Sequence, residues 1–339
     1  MVQFVRGSLM KLYDDKLIVL TGGAGFIGSC ILRLLNEKGM SNVIVVDELG
    51  CDSTKWRNLV GKKFLDYIHK DSLMEWLKVP GRETEVEAII HMGACSSTVE
   101  TNVDYLMENN YRYSVRLAEY ALKHSIKFIY ASSAATYGNG SQGFEDDHDA
   151  LDLLRPLNPY GFSKHLFDLW ARDQGVLENL TGLKFFNVFG PNEHHKGRMA
   201  SVIYNLLPTV KNDNLIKLFK SNDPSNFKDG DQCRDFIYVK DVASIVLDLL
   251  KEDVYGIFNL GSGEAKTWNS VATGMFSALG RAPNIEYREM PGDLNEKYQN
   301  YTRASMTKLK KSLSSFETTP LNEAIADYVN NYIIPNKVY

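Results

Sequence analysis

Four short stretches carry side chains whose types and spacing could work together. The first is T-G-G-A-G-F-I-G (21–28), where Gly22, Gly25 and Gly28 stand three apart. Glycines permit a tight turn and close backbone approach to a pyrophosphate, and a following helix N-terminus favours its negative charge. The second is A-S-S-A-A-T-Y-G (131–138), whose Ser133 can hydrogen-bond a reacting hydroxyl. The third, N-P-Y-G-F-S-K-H (158–165), sets Tyr160 and Lys164 four apart, on one face of a helix. A free tyrosine titrates near pH ~10, too high for a base at neutral pH, and a nearby ammonium is expected to lower that value. The fourth is N-E-H-H-K-G (192–197). It reads as a solvated loop, a metal site or part of an active site. Adjacent His194 and His195 with Glu193 make poor ligand geometry and lack a fourth partner, so no metal is expected there.

These stretches need elements to hold them. The runs L-I-V-L (17–20), V-I-V-V (43–46), A-I-I-H-M (88–92), F-I-Y-A-S-S (128–133) and L-K-F-F-N-V (183–188) read as buried strands. Helical patterns lie between them at Phe26 to Lys38, about Asn102 to His124, and Tyr160 to about Leu177. This alternation predicts an α/β fold, a doubly wound parallel (Rossmann) sheet with a smaller, interleaved C-terminal substrate domain. Ligands of such sheets bind beyond the carboxyl ends of the strands. F-I-Y-V (236–239) and I-F-N-L-G (257–261) are expected to return to the large sheet. The expected division is 10–186 with 235–263 for the cofactor, and 187–234 with 264–339 for the substrate. The glycine turn lies between a strand and a helix, and Asp47 ends the next strand. That context points to a dinucleotide, with Asp47 placed to accept hydrogen bonds from a ribose diol. Glu48 adds negative charge, whereas Lys55 supplies the opposite sign if its loop folds over the ribose.

Composition narrows the class. The chain has 339 residues and a formal net charge of -4, which gives no basic field for nucleic acid. Cys30, Cys51, Cys95 and Cys233 show no C-x-x-C spacing and read as reduced thiols. No apolar run approaches the roughly 20 residues needed to span a bilayer. The first ten residues lack a stretch of signal-peptide length, so a cytoplasmic enzyme without nucleic-acid or membrane partners is expected.

Glycine turn, serine strand end and Y-x-x-x-K in this order resemble the extended short-chain dehydrogenase/reductase family. The likeness runs on through R-D-F-I-Y-V-K-D-V-A (234–243) and I-F-N-L-G-S-G (257–263). It implies a nucleotide-sugar enzyme with a nicotinamide cofactor and a Ser133, Tyr160, Lys164 catalytic group. Finer motifs resemble one branch of that family, the ADP-L-glycero-D-manno-heptose 6-epimerases of lipopolysaccharide core precursor synthesis. They are H-M-G-A-C-S-S-T-V-E (91–100), E-N-N-Y-R-Y-S (108–114), F-F-N-V-F-G-P-N-E-H-H-K-G-R-M-A-S-V (185–202) and K-Y-Q-N-Y-T (297–302). The branch inverts C6 through a transient ketone. If the ketone turns its other face to the same nicotinamide, its oxygen moves, and proton transfer needs heavy atoms within roughly 2.6–3.2 Å. A second acid/base group is then required, and the resemblance assigns that role to Lys196, whose pKa must fall.

The same resemblance implies the remaining site residues. Cofactor contacts are Gly22, Gly25, Phe26, Ile27, Gly28, Asp47, Glu48, Lys55, Lys70, Met92, Gly93, Ala94, Cys95, Ser96, Asn109 and Val188, with Tyr160, Lys164 and Lys196. Substrate contacts are Ser133, Asn187, Arg198, Asn205, Phe219, Lys220, Ser221, Asn222, Arg234 and Tyr298. NADP is the implied cofactor, with NAD as the alternative, and a homo-oligomer, a pentamer, is implied. The sequence departs from the branch at Glu48, Arg198 and Asn205, where its pattern has asparagine, serine and histidine. Rival readings are another nucleotide-sugar epimerase, such as a UDP-hexose 4-epimerase, and a non-catalytic NADP-binding sensor. Lys196 separates the first rival, and retention of Ser133, Tyr160 and Lys164 opposes the second.

Overall fold

Seven short strands, six of them built on apolar runs, line up side by side as one sheet. In this computed structural model they are β1 (Leu17–Thr21), β2 (Val43–Asp47), β3 (Asp66–His69), β4 (Val86–His91), β5 (Lys127–Ser133), β6 (Leu180–Phe185) and β10 (Gly256–Leu260). The structure describes residues 16–51, 53–292, 298–313 and 316–339. The readings made on residues 1–15, Asp52 and Lys297 lie outside that set.

The strand order is β10-β6-β5-β4-β1-β2-β3, and every pairing in it is parallel. Parallel strands need both faces covered, which is why β1 and β2 are buried at every position. The cover comes from helices Phe26–Glu37, Tyr113–Lys123, Pro159–Asp173 and Val239–Lys251, whose apolar faces share one core with the sheet. The expected doubly wound α/β fold is what forms.

Two strand expectations need correction. L-K-F-F-N-V is not one strand. It breaks at Phe186, whose N–H donates to the Leu260 carbonyl, and Val188 N–H turns back to the Phe186 carbonyl. The chain therefore leaves the large sheet after β6, and β7 (Asn187–Phe189) enters another. F-I-Y-V, part of β9 (Cys233–Tyr238), does not return to the large sheet either. It pairs in parallel with β7 and antiparallel with β11 (Ala265–Thr267). The buried Asp235 carboxylate fixes this placement by accepting from the amides of Ser262, Gly263 and Ala304 at 2.6–2.9 Å. I-F-N-L-G does return, as β10.

A second apolar core gathers Phe189, Ile203, Leu207, Ile216, Phe236, Met275 and Ile325, among others. A two-stranded pair, β8 (Ile216–Phe219) with β12 (Ile285–Arg288), borders it. No helix among the described residues is long and apolar enough to cross a membrane.

Candidate active site

The carboxyl ends of β1, β4, β5 and β6 open onto one cavity of about 530 Å³. The glycine turn forms one wall. A Cβ on Gly28 would lie 2.1 Å from the Gly22 carbonyl oxygen, so only glycine lets the turn close on the helix that follows. That helix, Phe26–Glu37, has no side-chain cap and no acidic residue in its first turn. Its leading amides are free of intrahelical partners and face an anion-favouring dipole end. Asp47, at the end of β2, holds the turn from the side. Its Oδ2 accepts from Ala24 N–H at 2.8 Å, and its Oδ1 from Glu48 N–H at 2.7 Å and Lys55 Nζ at 2.5 Å. Lys55 is thus an ion-pair partner rather than a solvated loop residue. Beside it Lys70 Nζ reaches Glu48 Oε2 at 2.9 Å and Asn109 Oδ1 at 2.8 Å, on the rim of an adjoining cavity of about 170 Å³.

Ser133, Tyr160 and Lys164 line the 530 Å³ cavity together. Asn158 caps the tyrosine helix by accepting from Gly161 N–H at 2.8 Å, and Pro159 occupies its first turn. The helix then brings the Tyr160 hydroxyl close to Ser133, on the same cavity wall. Lys164 Nζ donates to the Ala131 carbonyl at 2.7 Å. The expected lowering of the Tyr160 pKa by this ammonium does not occur. Burial raises the phenol above its ordinary value, and the Ser133 hydrogen bond offsets that only in part. Lys164 is itself desolvated, which lowers its pKa to about 8, and its Nζ is engaged with the backbone.

Behind this group lies a polar cluster that no motif reading singled out. Asp168, one helical turn beyond Lys164, is fully buried and accepts from Ser132 Oγ at 2.7 Å, Tyr130 OH at 3.1 Å and Lys184 Nζ at 2.6 Å. Lys184 also donates to Thr136 Oγ1 at 2.6 Å. The signal for it was present: Lys184 is a charge inside an apolar strand, and such a charge survives burial only with a partner.

N-E-H-H-K-G is no solvated loop. It folds as a short 3-10 segment, His194–Met199, and Lys196 points into the cavity with its Nζ 5.2 Å from the Phe26 ring centre. Burial lowers the Lys196 pKa, against an opposing pull from Glu193. The Glu193 carboxylate is 1% exposed and accepts from Ser201 N–H at 2.5 Å, Ser201 Oγ at 2.6 Å and Tyr328 OH at 2.9 Å. The two histidines do separate work: His194 Nε2 meets the Thr54 carbonyl at 3.2 Å, and His195 lines the cavity.

Most of the expected cofactor residues line one of these two cavities. Of the expected substrate residues only Ser133 and Asn187 do so, Asn187 donating to the Asp235 carbonyl at 3.0 Å. Arg198 and Asn205 are exposed and line neither. Phe219, Lys220, Ser221, Asn222, Arg234 and Tyr298 form a separate neighbourhood. There Arg234 stacks 5.1 Å from the Tyr298 ring and 5.8 Å from that of Trp268, and Gln232 donates to the Lys220 carbonyl. Trp268, which no motif pointed to, donates to Tyr298 OH at 2.8 Å.

Residues 18–261 match the model of the NAD dependent epimerase/dehydratase family. The chain belongs to that family. Among its relatives is the ADP-L-glycero-D-manno-heptose-6-epimerase of Nitratidesulfovibrio vulgaris, 47% identical over 316 residues, 93% of this chain and 97% of that one. The Fusobacterium nucleatum protein of the same name is 43% identical over 95% of this chain and all of that one. A crystal structure of the Helicobacter pylori ADP-L-glycero-D-manno-heptose-6-epimerase superposes with a TM-score of 0.79 at 26% identity, covering 97% of this chain and 99% of that one.

A member of this epimerase/dehydratase family takes a nicotinamide cofactor, and the residues present fit one. The uncapped helix start suits the pyrophosphate, the turn closes where a Cβ would obstruct, and Asp47 stands at the end of the second strand.

Proposed function

We propose that the chain epimerises C6 of ADP-D-glycero-D-manno-heptose to give ADP-L-glycero-D-manno-heptose, in lipopolysaccharide core precursor synthesis. The observation that carries this reading is a second group able to transfer a proton, the half-buried Lys196, in the cavity that already holds Ser133 and Tyr160. A 4-epimerase of the same family manages with the serine and tyrosine alone. The relatives named above support the sugar, since both share their printed name with the neighbour in the solved structures.

When bound, the nicotinamide supplies the hydride acceptor and donor. Ser133 holds the C6 oxygen against Tyr160, which takes the hydroxyl proton as C6 becomes a ketone. Lys164, held by the Ala131 carbonyl in the same cavity, is placed to hydrogen-bond the nicotinamide ribose. After the ketone presents its other face, Lys196 gives a proton to the oxygen in its new place. The reverse direction exchanges the two roles. Burial suits Lys196 to this, because a lysine with a lowered pKa gives up and regains its proton nearer neutrality.

The reading takes NADP over NAD. Lys55 and Lys70 each neutralise one of the two carboxylates at the ribose end, so a 2′-phosphate meets a charge-balanced rim. Arg234, Tyr298 and residues 219–222 take the role of nucleotide and diphosphate contacts in it. A cytoplasmic homo-oligomer, a pentamer, completes it, and light scattering measures the last. The test is to incubate purified protein with ADP-D-glycero-D-manno-heptose and follow both C6 epimers. Conversion without net NADPH is expected. Turnover of UDP-glucose instead, or of neither sugar, would overturn the assignment.

A further inference from the structure

Lys196 sits on a segment with little regular structure, yet its backbone is held from several sides, and one residue outside every motif links those supports. Asn58 belongs to the 3-10 turn Lys55–Leu59, the same turn that brings Lys55 to Asp47. It is fully buried. Its amide Nδ2 donates to the Ala24 carbonyl at 3.0 Å and to the Asn192 carbonyl at 3.1 Å, and lies 3.4 Å from His195 Nδ1. Its Oδ1 is buried without a hydrogen-bond partner. An orphaned buried carbonyl is costly, so the side chain is held in place by its donors and not by full satisfaction.

The two acceptors are the point. Ala24 lies in the glycine turn, and its N–H is the one that Asp47 holds. Asn192 opens the Lys196 segment, and the Lys196 N–H bonds to the next residue's carbonyl, that of Glu193, at 2.9 Å. A continuous polar path therefore runs from Asp47 through Ala24, Asn58 and Asn192 to Lys196. A second contact reinforces it, since Asn192 Nδ2 donates to Ser29 Oγ on the glycine-turn helix at 2.9 Å. The Phe26 ring beneath the Lys196 ammonium belongs to that same helix.

We propose that Asn58 is a positioning residue that couples the cofactor-binding glycine turn to the Lys196 segment, so that seating the dinucleotide orders the second acid/base group. The proposal rests on the reading of Lys196 given above, although the coupling itself is mechanical and can be measured without turnover. A backbone segment tied to a turn that a ligand rigidifies exchanges its amide hydrogens more slowly once the ligand is bound.

The experiment is amide hydrogen exchange on the full chain, with cofactor removed and with saturating NADP, reading the peptide that spans residues 190–200. Wild-type exchange there should slow about tenfold on binding. In Asn58→Leu, which keeps the branching and heavy-atom count but has no donors, binding should persist and the slowing should vanish. Asn58→Ala gives the same comparison should the leucine prevent folding. Wild-type exchange that ignores the cofactor, or variants that keep the full protection, would overturn the coupling. Failure of the Lys196 reading shows separately: Lys196→Ala would then epimerise at the wild-type rate whatever the exchange result.

Discussion

The two proposed proton-transfer groups of the cavity are held by different means. Tyr160 rides on a fifteen-residue helix with an asparagine cap, a proline start and a buried ion pair beneath it. Its position follows from regular structure, and i, i+4 spacing delivers Lys164 to the same face. Lys196 stands on a six-residue 3-10 segment and is placed by side chains from elsewhere: Asn58, Ser29, Ser201 and Tyr328. A helix-borne group tolerates the loss of one contact, because the helix remains. A tether-borne group does not, and damage to its tethers should appear in catalysis before it appears in stability.

That contrast can be broken from either side. The largest effect is expected on the helix side, from Tyr160→Phe. Removing the hydroxyl should lower kcat about a thousandfold while cofactor stays bound, measured by epimer formation and by the cofactor content of the purified protein. Asp168→Asn strikes the support and not the chemistry. It leaves Lys184 buried without its countercharge and should lower unfolding free energy by about 3–5 kcal/mol in denaturant titration. On the tether side, Glu193→Gln keeps the shape but supplies one acceptor oxygen where three donors now converge. It should lower kcat about tenfold with a much smaller loss of stability than Asp168→Asn, which kinetics and melting together decide.

The most gradual effect, spread over several pH units, concerns the base of the glycine turn. His91 Nδ1 pairs with Thr21 Oγ1 at 2.6 Å and its Nε2 with Ser114 Oγ at 2.8 Å. Ser114 sends its own proton to the Asn110 carbonyl, so His91 Nε2 donates, Thr21 donates to Nδ1, and the ring is neutral. Burial lowers its pKa to about 3 from the 6.5 of a free imidazole. The unfolded chain then binds a proton that the folded one refuses, so stability falls as pH drops from 6.5 toward 3, by at most about 1.4 kcal/mol per pH unit. His91→Gln should flatten that slope in melts across the window. An unchanged slope would mean the ring is not the group responsible.

Much of the helix-borne side was legible in the sequence. Apolar runs gave β1, β2, β4 and β5, and the glycine turn and Y-x-x-x-K gave residues that line one cavity. What failed was the part set by tertiary context. β3 was missed because D-Y-I-H is an edge strand with little buried surface. The break at Phe186 was hidden inside an apolar run, and no periodicity says which sheet F-I-Y-V joins. The Tyr160 pKa went the other way because spacing places Lys164 nearby but does not say how dry the pair is. Asn58 could not be found at all, since its role exists only where three distant segments meet.

The central claim is that Lys196 is the second acid/base group, and one measurement addresses it most directly. Purified Lys196→Ala, with cofactor bound and the wild-type melting temperature, is given ADP-D-glycero-D-manno-heptose and the two C6 epimers are counted. A rate about 100-fold or more below wild type is expected. Conversion at the wild-type rate would contradict the claim and return Lys196 to the role of a half-buried cation beside Phe26.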